Sequence, residues 1–304
     1  MRCLALGAGI LGMVAVLAAC SSGPPTSAGA DGHVLRVVAV ENFWGSIAGQ
    51  LGGDHVEVTS IIDSPDADPH DYEPTTADAR TIAAADVVLV NGVGYDAWAS
   101  KIAAANDTPR QTVLDVGKLL GLTAGANPHR WYNPDDVSRV VSELTSDYQR
   151  VDPDDATYFA QRRTAFETTG TAAYRAAIDD IKTMYAGTRI GASESIVAML
   201  TPTLGLDLVT PPDFLRAISE GDDPTPADKA LIDKQISGKQ IAVYVYNSQN
   251  ATPDIQAQVD EAKEEGIPVT SITETLVPAD ASWQDWQTAQ LDSLRSALAK
   301  ATGR

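Results

Sequence analysis

The chain of 304 residues has only two cysteines, Cys3 and Cys20, both within its first twenty residues. No disulfide can therefore staple the rest, and the fold must stand on its core alone. Basic residues are scarce as well: 22 Lys and Arg face 41 Asp and Glu, a formal net charge of −19. A surface this acidic repels phosphate backbones and no basic stripe offsets it, which argues against nucleic acid as a partner. Acidity concentrates cations modestly, yet most of it is solvated surface, and charge alone establishes no metal site. Past the first twenty residues no apolar run approaches the ~20 residues needed to cross a bilayer.

What is present begins at the N-terminus. Arg2 precedes an apolar run, Leu4–Leu17, of 14 residues, short of a membrane span and typical of a secretory signal. Leu17-Ala18-Ala19-Cys20 places small residues directly before a cysteine and resembles a bacterial lipobox. That resemblance implies cleavage before Cys20, lipidation of its thiol and an extracytoplasmic, membrane-anchored protein. Loss of Arg2 takes the charge from −19 to −20. Residues 21–33, SSGPPTSAGADGH, read as a flexible tether reaching ~20 Å.

From Val34 onward, about 270 residues suffice for two lobes. Apolar, β-branched runs at Val34–Val40, Val56–Ile62, Val87–Asn91 and Val113–Val116 alternate with helical patterns at Phe43–Leu51, Thr75–Ala84, Tyr95–Ala105 and Asp135–Tyr148. Strands at Arg189–Ala192, Leu206–Val209, Ile241–Tyr246 and Val269–Ile272 repeat the scheme, with helices at Glu194–Leu200, Pro226–Ser237, Asp254–Glu265 and Trp283–Lys300. Continuous apolar strands, each followed by a helix, indicate parallel sheets covered on both faces. Between the halves, Pro153–Ala186 has almost no breaker and apolar residues every three or four positions. The spacing predicts one linker helix of ~45 Å, with Asp152 as its cap and Gly170 a weak spot. The expected fold is α/β: two similar lobes, each a mostly parallel four-stranded sheet flanked by helices. The boundaries follow: signal peptide 1–19, lipidated Cys20 and tether 20–33, N-terminal lobe 34–152, linker helix 153–186, C-terminal lobe 187–304.

There are four histidines. His33 sits in the tether, and His55 follows Gly52-Gly53-Asp54 as a solvated turn residue. His70 and His129 share a different setting, in Asp68-Pro69-His70-Asp71-Tyr72-Glu73-Pro74 and Asn127-Pro128-His129-Arg130-Trp131. Proline stiffens the backbone on which each imidazole stands, so little entropy is lost on metal ligation.

These two motifs, 59 positions apart, resemble the metal-binding solute receptors of bacterial ABC importers for zinc and manganese. Glu41-Asn42-Phe43-Trp44 and Asn91-Gly92-Val93-Gly94-Tyr95 extend the resemblance, which runs the length of the mature chain. It implies a metal enclosed between two lobes on a rigid helix, with two ligands from each lobe. The third ligand position falls on Glu194, within Gly191-Ala192-Ser193-Glu194-Ser195; as a plain helix residue it would favour the first turn through the macrodipole. The fourth is usually aspartate in an Asp-Ser-Leu-like stretch, but here Ile272-Thr273-Glu274-Thr275-Leu276 puts Glu274 there. Asp292-Ser293-Leu294 is a decoy inside the last helix, away from any strand's carboxyl end.

The implied set is His70, His129, Glu194 and Glu274, with no sulfur. It suits Mn²⁺ or Zn²⁺ cargo, with Fe²⁺ also compatible, and argues against Cu(I). Two carboxylates lean towards manganese, and the His-rich acidic loop of many zinc-devoted relatives is missing. Tyr72 and Trp131 would wall the pocket, Asn247 would hydrogen-bond behind it, and Trp98, Trp283 and Trp286 would pack helix faces. The implied partners are a membrane permease and, through Cys20, the membrane, with the protein itself a monomer and not an enzyme. Two other classes use related features. A surface adhesin or metal-chelate receptor would share the frame, but a chelate needs basic residues beyond Arg130. A secreted metallohydrolase would need a His-Glu-x-x-His helix or a nucleophile elbow, and the chain has neither.

Overall fold

A strand covered by helices on both faces is apolar at nearly every position, and the two central strands of each sheet in this protein come close to that condition. The edge strands carry exposed polar residues. The computed structural model describes residues 34–65, 69, 72–106 and 109–304; the signal and tether, Cys20 and His70 lie outside the described residues. The first half runs β1 (Leu35–Glu41), α1 (Asn42–Gly52), β2 (Val56–Ile62), α2 (Thr76–Ala84), β3 (Val87–Val90), α3 (Ala97–Ala105), β4 (Thr112–Asp115) and α4 (Val116–Leu120). Next come α5 (Pro134–Val151), α6 (Ala156–Ala165), a π-helical turn (Phe166–Gly170) and α7 (Ala172–Tyr185). The second half is β5 (Arg189–Ala192), α8 (Ile196–Leu204), β6 (Asp207–Leu208), α9 (Pro212–Ser219), α10 (Pro226–Ser237), β7 (Val243–Asn247), α11 (Pro253–Glu264), β8 (Val269–Ile272) and α12 (Trp283–Thr302).

The strands form two four-stranded sheets, ordered β2-β1-β3-β4 and β6-β5-β7-β8, with every pairing parallel. Side-chain alternation sorts each sheet into two faces. Leu35, Val37, Ala39, Val87 and Leu89 point into a large inner core, while Val38, Val40, Val88 and Val90 pack outward against Ile82, Ala99 and Ala103. In the second sheet Ile190, Val243 and Val245 join the inner core, whereas Tyr244 packs against Ile232, Ile236, Ile255 and Val259. Burial on both faces is what makes these strands read as unbroken apolar runs.

The inner core is shared by both halves. Trp131 and Tyr132 meet Trp283 and Trp286 there, all almost fully buried. Trp283 Nε1 donates to the Trp131 carbonyl at 3.2 Å, and Tyr132 OH to the Thr273 carbonyl at 2.6 Å. An aromatic interface of this kind, at ~3–5 kcal/mol per large ring truncated, holds the halves as one packed body.

The helical span between them departs from a single uninterrupted helix. Asp152 ends α5 rather than capping the span, and α6 begins at Ala156 after Asp155. Around Gly170, the helix widens: Thr171 N–H bonds the Phe166 carbonyl at 3.0 Å, five residues back. Such π turns displace carbonyls from the ladder. Arg175 answers by donating to the carbonyls of Glu167 and Thr168. α6 lies against α5 and α1, and α7 against α12 and α8, so the span carries the chain from one half to the other. The sequence pattern also misses α9.

Candidate metal centre

Parallel sheets gather ligands beyond their strands' carboxyl ends where the strand order reverses. Here that is between β1 and β3 in one sheet, and between β5 and β7 in the other. The loops after β5 and β8, at the same ends of the strands, carry Glu194 and Glu274, and the α4–α5 connection carries His129.

His129 is fully buried in the α4–α5 connection, its ring edge-on to Trp131 at 5.2 Å and to Tyr95 at 6.1 Å. Its Nδ1 lies 2.9 Å from Asn127 Oδ1 and 3.2 Å from Ser195 Oγ. The other end of the Asn127 amide donates to the Ser195 carbonyl at 2.7 Å, so the oxygen is the end facing the ring. An amide oxygen only accepts, which places the proton on Nδ1 and the lone pair on Nε2. That lone pair faces Glu274, with Nε2 3.9 Å from Oε2. Asn91 braces the connection, donating to the Pro128 carbonyl at 3.0 Å while accepting from Trp44 Nε1 at 3.1 Å.

Glu194 is fully buried in the bend between β5 and α8, and Asn250 donates to it at 3.4 Å. Helix α8 starts two residues later, so Glu194 is a strand-exit residue and not a first-turn acid. Glu274 follows β8 and is 2% exposed. Tyr95 OH donates to its Oε2 at 2.7 Å, from the opposite half, and Asn247 Nδ2 to its Oε1 at 3.0 Å. The Asn247 contact matches the expectation from sequence. These three donors are all neutral.

Ligand-type atoms of His129, Glu194 and Glu274 thus lie within 4.8 Å of one another, all three residues buried. Donors about 2.0–2.2 Å from one ion stand at such separations. Burial penalises anionic charge that no cation meets, so two carboxylates and one imidazole gathered in a dry site are a donor set suited to a divalent ion. Three of the four sequence-predicted residues are brought together; the fourth, His70, lies outside the described residues. Asp292 pairs with Arg295 at 2.8 Å on the half-exposed face of α12, far from this chemistry in role.

The loop that presents Tyr95 is strained. Gly92 has φ +72, and Val93, a β-branched residue, has φ +58, a combination that persists only where surroundings impose it. Asp96 does so, accepting from the amides of Asn91 and Gly92 at 2.6 and 2.8 Å. Burial pushes the Asp96 carboxyl up to about 6. Neighbouring Glu41, fully buried at the end of β1, is raised well above its usual range by burial and then by the Asp96 charge.

Several positioning residues escape sequence reasoning. Tyr95 and Asn127 both sit inside motifs that the sequence singles out, but nothing in the spacing says that one reaches Glu274 and the other holds His129. Tyr72 does not wall the site: its OH donates to Asp78 at 3.0 Å at the cap of α2, and its ring lies tilted against Trp98 at 5.3 Å. His55 is no solvated turn residue either. Its Nδ1 lies 2.8 Å from Asp155 Oδ2, its ring packs 4.2 Å from Tyr158, and with Asp152 it forms a second, half-buried group of metal-compatible atoms.

The profile of the family described as periplasmic component A of zinc-uptake complexes matches residues 37–297. The manganese-binding lipoprotein of Halalkalibacterium halodurans is 26% identical over 162 residues, 52% of this chain and 53% of that protein. The chain thus spans about half the length of that relative. A metal ABC transporter substrate-binding lipoprotein of Streptococcus parasanguinis is 25% identical over 268 residues, 83% of each chain. Among solved structures, a manganese-bound periplasmic metal-binding protein of Candidatus Liberibacter asiaticus superposes with TM-score 0.72 at 17% identity, over 87% of this chain and 99% of that one. At that identity the likeness speaks for the fold alone.

Proposed function

Because the chain belongs to the family of periplasmic zinc-uptake component A, we propose that it is the solute-binding subunit of an ABC importer. It takes one divalent transition-metal ion from outside the cytoplasm and passes it to a membrane permease. Its activity is capture and release, not turnover. The observation that carries this reading is the convergence of His129, Glu194 and Glu274, buried and within 4.8 Å of one another, from loops of both halves. His70, in the matching Pro-His motif, completes the set as fourth ligand, and Cys20 carries the lipid that tethers the chain to the membrane.

Oxygen and nitrogen donors without sulfur suit Mn²⁺, Zn²⁺ and Fe²⁺. We infer manganese as the cargo, on two carboxylates in the set and on relatives named for manganese. Zinc, higher in the Irving–Williams order, will bind the isolated protein at least as tightly, so the cargo is set by supply as well as by the site.

Equilibrium dialysis with elemental analysis tests the reading. One ion per chain is expected, lost in a His70→Ala, His129→Ala double variant. Undiminished binding in that variant would overturn it.

A further inference from the structure

Next to Glu274, six backbone groups from two different halves are joined by two side-chain amides and one threonine hydroxyl. The loop leaving β2 offers three consecutive carbonyls, those of Asp63, Ser64 and Pro65. The loop leaving β8 offers three consecutive amides, those of Glu274, Thr275 and Leu276. Gln249, in the loop after β7, accepts from Glu274 N and Thr275 N at 2.7 and 3.0 Å and donates to the Pro65 carbonyl at 2.6 Å. Its remaining N–H goes to Thr275 Oγ1 at 2.7 Å, so all four hydrogen-bonding positions of the carboxamide are used. Asn42, at the start of α1, repeats the arrangement from the other side. It accepts from Leu276 N at 3.3 Å and donates to the Asp63 carbonyl at 3.4 Å. Thr275 Oγ1 reaches the middle carbonyl, that of Ser64, at 3.4 Å.

Each amide bridges the halves with one end in each loop, and Glu274 has its side chain in the metal centre and its N–H in the clamp. Asn42 is 4% exposed and Thr275 fully buried, while Gln249 is half-buried and Asp63 and Ser64 sit on the exposed rim, so the clamp closes over the edge of the cleft. Opening the cleft must break the clamp, and breaking the clamp frees the backbone that aims Glu274.

We propose that Gln249, seconded by Asn42, is a positioning residue that couples closure of the two halves to placement of Glu274 and so sets the residence time of the bound ion. This inference rests on the metal-binding reading above. It concerns how long the ion stays, where the ligand set concerns whether it binds.

The test uses the full chain and two isosteric variants. Gln249→Met removes both ends of the amide; Gln249→Glu keeps an acceptor for the Glu274 and Thr275 amides but cannot donate to Pro65. Manganese release is followed by stopped flow against excess chelator, and hydrogen exchange is read at the amides of residues 274–276 without metal. Release from Gln249→Met is expected to be about 10- to 100-fold faster, the loss of one or two net hydrogen bonds, with association within about twofold. Gln249→Glu should also release faster, yet keep amide protection that Gln249→Met loses. A packing defect alone would not produce that split. Wild-type release rates in both variants would overturn the proposal, as would unchanged protection in Gln249→Met, a result that needs no metal. Absence of metal binding in the wild type with protection lost as expected would instead sink the functional reading and leave the clamp standing.

Discussion

Among the described residues, two places bring one imidazole within reach of two carboxylates. At His129, Glu194 and Glu274 all three residues are buried; at His55, Asp152 and Asp155 all three are half-exposed. The first group is assembled from three distant loops, and the atoms behind it are occupied: Nδ1 by Asn127 and Ser195, Glu274 by Tyr95 and Asn247. The second joins only two segments, the turn at 53–55 and the α5–α6 connection, and Asp54 N–H, donating to Tyr158 OH at 3.2 Å, ties the same elements. One imidazole and two carboxylates therefore serve two ends. Oxygen and nitrogen donors gathered in a dry site suit a divalent ion, whereas the second group fastens two segments through the His55–Asp155 contact at 2.8 Å.

The largest expected effect breaks the buried group. Glu194→Gln should weaken manganese binding by ~3 kcal/mol, one ligand's share of the ~10–16 kcal/mol a four-ligand site supplies, or over a hundredfold. Calorimetric titration reads it, and a change under tenfold would remove Glu194 from the ligand set. One layer out, Asn127→Ala leaves every proposed ligand in place but frees the His129 ring to turn. A loss of about 10–100-fold is expected, the usual weight of a group that orients a metal-bound histidine. An affinity equal to wild type would mean that Ser195 orients the ring alone.

How much of this was legible beforehand follows the length scale of each interaction. Strand β2 and helix α10 match their predicted bounds because their patterns are periodic and local. His129 stands out because proline precedes it, whereas Glu194 and Glu274 are reached only through the family resemblance, whose ligand positions follow strands. The clamp at Gln249 and the cross-cleft bond from Tyr95 were illegible, since their partners are 184 and 179 residues away and a glutamine or tyrosine in a loop has no periodicity to betray it. Local chemistry hid the π turn too: Gly170 signals weakness in a helix, but only Arg175 folding back over the carbonyls decides that the helix widens and does not stop.

The half-exposed group should respond in the opposite sense. His55→Ala removes the Asp155 contact and the packing on Tyr158 and Phe159, and a destabilisation of ~1–2 kcal/mol is expected in urea unfolding. Manganese affinity should stay within about twofold. A large drop in affinity without a drop in stability would make the two groups alike after all.

The smallest effect separates them by charge. Asp152 has its carboxyl pushed up by burial and then by the Asp155 charge, with His55 pulling it down as a lesser influence. An acid raised in the folded state favours folding while protonated, and that contribution is lost as pH rises from its unfolded value near ~3.9 through the folded one. Asp152→Asn removes the penalty, so the variant should be more stable than wild type at pH 7 by a few tenths of a kcal/mol, the scale of screened surface charges. Towards pH 4 the advantage should shrink, because the Asp152 carboxyl of the folded state then takes up its proton and the penalty fades. Urea midpoints at the two pH values read the difference. If the variant were instead weaker at neutral pH, the charge of Asp152 would be wanted where it stands. The second group would then behave like the first, as carboxylates held ready for a cation.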